Sequence, residues 1–552
     1  MDSGAAEQLQ TPTLCLKCLL VAAAAILILS DGCASYRPSF LTGNIASVRV
    51  DATRPGLQIP ATFLGISHDW GEAEKMMGDP ATGTNPIYRK LINNLIAFGA
   101  DPPIFRVGGA ADDLAYLPDP PTTAQTAPLV QLYKDIGAKF YLGVNLANGK
   151  VKIATDQAKF FVQHLPADAL LAIEIGNEPD DYQFVKTRRA DYTYGEFLAQ
   201  WQEWQKAINA PGVAPGMKFI GPSFGGAQPW VWGSELGAFL NTNSSTLSLV
   251  SQHWYAGSAC SGRAIPSDYL LRDSSATGGA NAIAPIVSQA HAAGLKIRMA
   301  EMNSIACDGQ AGVTDTFASA LWAIDATFEL ARTGLDGVNF HMDTDDAYGA
   351  FLFNMNTAAK PYAYSINVVR PEYYGLLFFQ QAAPAGSKLL PVRLSTSANL
   401  KAWATIGRDK AVRVSLLNKD QNTSGEVTIN LKGYGMGTLV WLSAPQYQSK
   451  KGVTFGGQTF DGSPDGTAQG EIAYETVLPQ GGVYSIQIPR TSAALLTVTP
   501  PGAGARISES ERRYAAVPAS DVLFPSVTSP TACLWPSSVT ASGRMIAPSA
   551  KR

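Results

Sequence analysis

Two glutamates, Glu178 and Glu301, each follow a stretch with the length and composition of a strand. Residues 169–175 precede Gly176-Asn177-Glu178-Pro179, and residues 296–300 precede Glu301. An almost unbroken apolar series such as the first is typical of a parallel strand that is buried on both faces. In an α/β barrel, polar residues at the ends of such strands collect at one edge. Two carboxyl groups brought together there could act as nucleophile and acid, the chemistry that hydrolyses a glycosidic bond.

Each motif also has a simpler interpretation. Asn177-Glu178-Pro179 could be an ordinary strand-to-helix turn that leaves Glu178 in solvent. Glu301 could be the buried partner of an arginine. The joint pattern favours catalysis, because both acids end strands within one alternating series of strands and helices.

The elements that must position these acids alternate along residues 61–385. We count eight strands separated by helical patterns, which predicts an α/β fold of the (β/α)8 TIM-barrel type. A doubly wound open sheet is the structural alternative, but it would need a phosphate-binding glycine turn, and Gly108-Gly109 is not one. Residues 386–499 carry short strands between Gly, Asn, Asp and Pro turns, which predicts an antiparallel β-sandwich. We expect residues 36–60 to contribute a strand to that sandwich.

The two ends of the chain differ in composition from the rest. Residues 1–35 predict a signal peptide, with an apolar run of residues 19–29 that is too short to span a bilayer. We therefore expect a secreted or periplasmic protein, with lipoprotein anchoring at Cys33 as the alternative. Residues 500–552 are rich in Pro, Ser, Ala and Thr, which predicts a disordered tail. The 552 residues carry a net charge of -3, so no nucleic-acid or other polyanion partner is indicated.

The cysteines outside the predicted signal peptide have no zinc or redox spacing. Cys260 follows one predicted barrel strand and Cys307 follows the next, so both should lie on loops at the same end of the barrel. In an exported protein we expect a disulfide between them. We expect no metal and no cofactor, since no cluster of His, Asp and Glu has metal-ligand spacing.

Further polar residues stand at the ends of predicted barrel strands. Arg106 ends the second strand, and His253 and Tyr255 end the sixth. Arg106 and the Tyr255 hydroxyl could stabilise an ionised Glu301. Arg106 could equally be a salt-bridged core residue, and His253 could orient its neighbours through hydrogen bonds. Trp254 should point to the other side of its strand and pack there.

The motifs together resemble glycoside hydrolase family 79 of clan A, in its β-glucuronidase branch. The resemblance runs from about Ile45 to Val498, and the segments that carry it are Phe105-Arg-Val-Gly-Gly109, Ile173-Glu-Ile-Gly-Asn-Glu-Pro179, Gln252-His-Trp-Tyr255, Glu301-Met-Asn-Ser304 and Gly312-Val-Thr-Asp-Thr-Phe-Ala-Ser-Ala-Leu-Trp322.

The resemblance implies roles for individual residues. Glu301 would be the nucleophile of a retaining mechanism, Glu178 the acid and then the base, and Asn177 the partner of the sugar 2-hydroxyl. Backbone amides of the loop 305–312, with Gly309 and Gly312, would bind a uronate carboxylate. Tyr348 is the candidate tyrosine for that pocket, and its simpler interpretation is an aromatic on the barrel rim.

The predicted activity is therefore that of a retaining exo-β-glucuronidase acting on a carbohydrate. A neutral hexoside stays open as substrate, because four acids near the site would repel a uronate if they pointed inward: Asp308, Asp343, Asp345 and Asp346. Another clan A glycosidase, such as a β-glucosidase or an endo-acting heparanase-like enzyme, is one alternative. A non-catalytic carbohydrate-binding protein is the other, although such a protein usually lacks one of the two carboxylates.

Overall fold

The centre of the molecule is a closed barrel of parallel strands. A computed structural model describes residues 43–98, 101, 103–113, 117–225 and 231–500 of the chain. The eight barrel strands pair in sequence order, and the last pairs with the first. With β1 at Asn44–Val50, they are β2 Leu64–Asp69, β3 Ile104–Gly108, β4 Lys139–Val144, β5 Leu170–Ile175, β6 Phe219–Phe224, β7 Leu247–Ser258, β8 Lys296–Ala306 and β9 Gly337–His341. The α/β barrel predicted from the sequence is confirmed.

Helices surround the barrel and cover its outer face. In chain order the α-helices are α1 Ala73–Met76, α2 Pro86–Ile96, α3 Ala110–Asp113, α4 Thr123–Ile136, α5 Val151–His164, α6 Tyr194–Ile208, α7 Leu236–Asn243, α8 Thr277–Ala292, α9 Phe317–Arg332 and α10 Pro371–Ala382. Local sequence explains where they begin: Asn85 caps α2 by accepting hydrogen bonds from the N–H groups of Ile87 and Tyr88, and Pro86 occupies the first helical position.

The C-terminal region folds as two largely antiparallel sheets with an apolar core between them. One sheet has the order β13-β1-β16-β20, and the other contains β12, β14, β15, β21, β17, β18 and β19. Their bounds are β12 Lys388–Leu389, β13 Val392–Thr396, β14 Leu400–Ile406, β15 Val412–Asn418, β16 Gly425–Asn430, β17 Gly437–Ser443, β18 Thr454–Phe455, β19 Glu475–Val477, β20 Val483–Ile488 and β21 Ser492–Val498. Strand β1 lies between β13, to which it is antiparallel, and β16, to which it is parallel.

Some predicted elements differ from the observed ones. A hairpin, β10 Phe351–Asn356 and β11 Ala363–Val369, stands between the last barrel strand and α10, and the sequence analysis did not identify it. Strand β19 is short, because residues 470–474 form a bend and an irregular loop instead of continuing the strand. The predicted signal peptide (1–35), Cys33 and nearly all of the predicted tail (500–552) lie outside the described residues. Among the described helices, none has the length and apolar content needed to cross a membrane.

A buried charge network joins the sandwich to the barrel. Lys419, which follows β15, and Asp325 of α9 are both fully buried and form an ion pair. Lys401 of β14 lies 3.1 Å from the second oxygen of Asp325 and also contacts Glu329 and Asp273. Each buried charge therefore has an opposite partner, which it needs because an unpaired ion is costly in this environment.

Removing one partner of this network should destabilise the fold. We expect K419M to lower the free energy of unfolding by about 3 kcal/mol, since Asp325 keeps its burial and loses one of its two cations. The double variant K419M/D325L should recover most of this loss, measured by urea denaturation. K139M, which breaks the solvent-exposed pair Lys139–Asp168, is the control and should cost less than about 1 kcal/mol. A K419M effect no larger than that of K139M would contradict the proposed importance of the pair.

Candidate active site

Glu178 reaches the barrel mouth through a sharp turn after β5. Gly176 has φ +75°, and Glu178 itself has φ +47°, a left-handed conformation that is unfavourable for a residue with a side chain. A side chain at position 176 would meet the Tyr182 hydroxyl at 2.5 Å, so the turn requires glycine there. The N–H of Glu178 donates to the carbonyl of Ser223 at the end of β6, which holds the turn in place.

Arg106 lies at the centre of the site and is fully buried. Its guanidinium donates to Glu174 through Nη2 at 2.6 Å and Nε at 3.1 Å, and to Glu301 through Nη1 at 2.6 Å. Nη2 also donates to the Asn177 side-chain oxygen at 2.6 Å. The two interpretations of Arg106 therefore both apply: it is a salt-bridged core residue, and one of its partners is Glu301.

Glu301 is held by donors on both carboxylate oxygens. The Tyr255 hydroxyl donates to Oε1 at 2.9 Å, and Arg106 donates to Oε2. Burial alone would raise the pKa of Glu301, but the charges of His341, His253 and Arg106 and the hydrogen bond from Tyr255 hold it well below its usual range. Glu301 is therefore an ionised carboxylate.

Glu178 and Glu301 face one another across a short gap. One oxygen of each, together with a ring nitrogen of His253, lie within 4.8 Å of one another. His253 is buried, and its Nδ1 lies 3.0 Å from Glu178 Oε1, so it contacts Glu178 directly. Burial would lower the pKa of His253, but the charge of Glu301 and the hydrogen bond to Glu178 raise it. Trp254 points to the opposite face of β7 and packs against Trp322, as the sequence analysis predicted.

Asn177 is oriented by two neighbours. Its side-chain oxygen accepts from Arg106, and its N–H donates to Asp113 at 2.9 Å. With the oxygen engaged, the side-chain amide nitrogen is the group left to donate to a sugar hydroxyl.

A second group of charges adjoins Glu301 from β2 and β9. His341 Nδ1 lies 3.8 Å from Glu301, and its Nε2 lies 3.2 Å from Asp343 and 3.9 Å from Asp69. Burial would lower the pKa of His341, yet the carboxylates of Glu301 and Asp343 raise it well above its usual range. Burial and the charge of Asp343 both raise the pKa of Asp69.

The loop after β8 has an unusual backbone and carries the disulfide. Cys307, Asp308 and Gly309 have successive φ values of 58°, 61° and 75°. Cys307 is bonded to Cys260 of the loop after β7. Gly309 packs against Tyr348, since a side chain added there would meet the Tyr348 ring at 3.1 Å. Tyr348 is 4% exposed, with its ring 5.9 Å from that of Tyr255, so it is buried beside the site instead of lying on the rim.

Gly312 does not join this group. Its N–H donates to the Asp315 side chain at 2.6 Å, so the amide predicted to bind substrate already has an acceptor within the protein. The four acids that could repel a uronate also separate: Asp346 is buried with Arg370, Asp343 is paired with His341, and Asp308 and Asp345 are exposed.

Among the residues that the structure describes, two sets of side chains are close enough to offer a cation three ligands. These are Asp69, Glu301 and His341, and Glu178, His253 and Glu301. Both include Glu301, whose oxygens accept from Arg106 and Tyr255. The guanidinium beside Glu301 would repel a metal ion, so the spacing by itself does not make either set a metal site.

A parallel eight-stranded barrel with two facing glutamates at its C-terminal edge defines the class of this protein, which is a glycoside hydrolase. Comparison with known proteins shows what the chain resembles. The profile of the glycosyl hydrolase family 79 C-terminal beta domain matches residues 402–495. A protein named Beta-glucuronidase from Neurospora crassa is 25% identical over 442 residues, which are 69% of this chain and 77% of that protein. Another of that name from Aspergillus niger is 23% identical over 531 residues, which are 84% and 95% of the two chains.

Solved structures support the fold. A 4-O-alpha-L-rhamnosyl-beta-D-glucuronidase from Fusarium oxysporum superposes with a TM-score of 0.66 at 20% identity, covering 82% of this chain and 100% of that one. A family 51 alpha-L-arabinofuranosidase from Bifidobacterium longum superposes with a TM-score of 0.61 at 14% identity, covering 83% and 100%. These structures show the fold, and the domain match and the curated relatives show that the chain is similar to proteins of glycoside hydrolase family 79.

Three charged residues of the site escaped the sequence analysis: Glu174, Asp69 and His341. Glu174 was visible as a single acid inside an apolar run, and a buried acid of that kind needs a cation. Asp69 and His341 are the last residues of β2 and β9. A search for polar residues at every strand end would have found them.

A buried histidine beneath the site should make stability depend on pH. His68 of β2 is fully buried, with Nδ1 2.5 Å from the Met342 carbonyl and Nε2 2.9 Å from the Tyr88 hydroxyl, and burial lowers its pKa to about 4. The unfolded chain takes up this proton near pH 6.5, before the folded protein does. The free energy of unfolding should therefore fall as pH drops from 6.5 to 4, by about 3 kcal/mol from His68 alone.

The variant H68Q tests this expectation. Its free energy of unfolding should vary less with pH between 6.5 and 4 than that of the wild type, whatever its value at pH 7. H164Q, a change at an exposed histidine, controls for replacing a histidine elsewhere. Identical pH slopes for wild type and H68Q would show that His68 is not held neutral.

Proposed function

We propose that this protein is a retaining exo-β-glucuronidase, with Glu301 as nucleophile and Glu178 as acid and base. The observation that carries the mechanism is the separation of the two glutamates, whose nearer oxygens lie within 4.8 Å. Retaining enzymes hold their carboxyl groups roughly 5 to 5.5 Å apart, and inverting enzymes need several ångströms more to admit a water. The gap therefore suits direct attack on the sugar.

In the first step, an oxygen of Glu301 forms a bond to the anomeric carbon while the bond to the glycosidic oxygen breaks. The departing oxygen takes its proton from Glu178. Arg106 and Tyr255 keep Glu301 ionised and fix its orientation before the reaction begins. Asn177 donates to the 2-hydroxyl, a contact that strengthens as charge develops on the sugar ring.

In the second step, a water loses a proton to Glu178 and attacks the anomeric carbon, which frees Glu301. His253 is hydrogen-bonded to Glu178 and orients that carboxyl group in both steps. The protonated form of His253 is favoured when Glu178 is ionised. The sugar leaves with its original configuration, because two inversions have occurred.

The preference for a uronate is supported by the loop after β8 and by the names of the curated relatives. Within the part of the chain that the structure describes, the N–H groups of Cys307, Asp308 and Gly309 have no acceptor in the protein. They adjoin Tyr348, whose neighbour Tyr255 bonds Glu301. Adjacent backbone amides in left-handed conformation suit a carboxylate. The disulfide of the same loop supports the further proposal that the protein is exported.

Substituting the two glutamates separately should divide their roles. E301Q should lower kcat/KM for 4-nitrophenyl β-glucuronide by about 10⁴-fold, because the attacking oxygen is lost. In E178A, Glu301 should still attack the anomeric carbon, because nitrophenolate departs without a proton. The second step should then be slow, because no base activates the water. Azide should then accelerate E178A and yield the β-glucuronyl azide, identified by NMR, since it enters from the face that Glu178 occupied.

The control for these variants is D345N, which removes an exposed acid from the loop after the last barrel strand and should change kcat/KM by less than about twofold. An α-azide from E178A, or an E301Q variant with nearly full activity, would reverse or refute the assignment.

Substrate choice is a separate test. We expect kcat/KM for 4-nitrophenyl β-glucuronide to exceed that for the β-glucoside by about 100-fold, the usual effect of a carboxylate that pairs with buried donors. Y348F should lower the glucuronide value by about 10-fold and leave the glucoside value unchanged, if the hydroxyl contacts the carboxylate. Faster hydrolysis of the glucoside would identify a neutral hexosidase, in keeping with Asp69 and Asp343 near Glu301.

A further inference from the structure

The loop that follows Glu178 is fixed to the barrel although its tip is exposed. Successive turns fold residues 178–188 back on themselves: the N–H of Asp181 donates to Glu178, that of Phe184 to Asp181, and that of Arg188 to Tyr182. Tyr182 is buried, and its hydroxyl donates to Asp113 at 2.5 Å. Together with Arg188, which reaches the Leu146 carbonyl at 2.6 Å, it anchors the loop.

A neighbouring loop is fastened to this one by a buried carboxylate. Asp180, 1% exposed, accepts from the N–H of Gly225 at 2.7 Å with one oxygen and from that of Val231 at 3.2 Å with the other. A side chain at position 225 would meet the Asp181 carboxylate at 2.8 Å, so the loops after β5 and β6 touch closely.

These two loops carry the exposed large apolar side chains of the barrel mouth. Phe184 and Val185 are each 63% exposed, and Val231 is 40% exposed. Among the described residues of the loops that follow the eight barrel strands, no other large apolar side chain is exposed to this degree. Scattered exposed apolar residues need no explanation, but these three stand on two loops that Asp180 joins through hydrogen bonds.

The loop that carries Phe184 and Val185 begins at Glu178. Glu178 protonates the glycosidic oxygen in the proposed mechanism, and the chain from Glu178 to Phe184 is only six residues long and folded by two turns. Asp181 lies between them in the chain. Burial and then the charge of Glu178 raise its pKa to about 6, while the charge of His253 acts in the opposite direction.

We propose that Phe184, Val185 and Val231 form the binding platform for the leaving group, and that its ligand is a ring with an apolar face. This inference rests on the proposed glycosidase function. Both an aromatic aglycone and the C–H face of a second sugar offer such a ring. A fixed loop suits this task, because little conformational freedom is lost when the ring binds.

Three substrates with the same glucuronic acid and different leaving groups test the platform: β-glucuronyl fluoride, 4-nitrophenyl β-glucuronide and glucuronosyl-β-1,6-galactose. The quantity measured is kcat/KM, which reports the steps up to departure of the leaving group. F184S should lower it about 10-fold for a ring-bearing substrate, the loss expected from removing roughly 55 Å² of apolar contact. The value for the fluoride should stay within about twofold, since fluoride is too small to reach the platform.

A matched control is Y474S, which removes an exposed aromatic residue from the sandwich and should leave all three values unchanged. A fall with the nitrophenyl substrate alone would identify an aryl platform, and a fall with the disaccharide alone would identify a sugar platform. Equal values for wild type and F184S on both ring substrates, or an equal fall on the fluoride, would overturn the proposal.

Failure of the proposed function has a different signature. If the wild type hydrolyses none of the three glucuronides, the uronate assignment fails, and the same three leaving groups on β-glucose test the platform instead. Phe184 is exposed, so F184S should keep the wild-type melting temperature, which verifies that a kinetic loss is local.

Discussion

The site depends on one buried cation. Arg106 pairs with both Glu174 and Glu301 inside the barrel, where an isolated carboxylate would be strongly disfavoured. The planar guanidinium also sets geometry, because Nε and Nη2 along one edge bond Glu174 and Asn177 while Nη1 bonds Glu301. A lysine would supply the charge and lose that geometry. Orientation of the reacting carboxylate is thus set by the barrel core and not by the loops above it.

Charge compensation continues outward from Arg106. His253 lies between the two facing glutamates, and His341 lies between Glu301 and Asp343. Each histidine is buried, and the carboxylates around it raise its pKa. The protonation states of these residues depend on one another, so changing one member alters the protonation of several others.

Much of this arrangement could be predicted from the sequence. The apolar strand before Glu178 and the regular alternation of strands and helices gave the barrel, and a barrel brings strand ends together whatever their distance in the chain. The same topology placed Cys260 and Cys307 on adjacent loops. Glu174 was harder, since its partner Arg106 is 68 residues away, and only the closed barrel shows that they meet. The hairpin β10–β11 and the role of the Gly312 amide depend on tertiary contacts that spacing does not encode.

Strand β1 has a consequence for how the chain can reach its folded form. It fills the position between β13 and β16, so the first described strand of the protein is completed by partners about 350 residues later. During synthesis this strand must remain without these partners until the chain has been made as far as Asn430 of its 552 residues. The C-terminal sheets, taken alone, would have an open slot with two rows of unsatisfied backbone groups. The sandwich is consequently complete only when both ends of the described chain are present, and it cannot be separated from its N-terminal strand without opening one of its sheets.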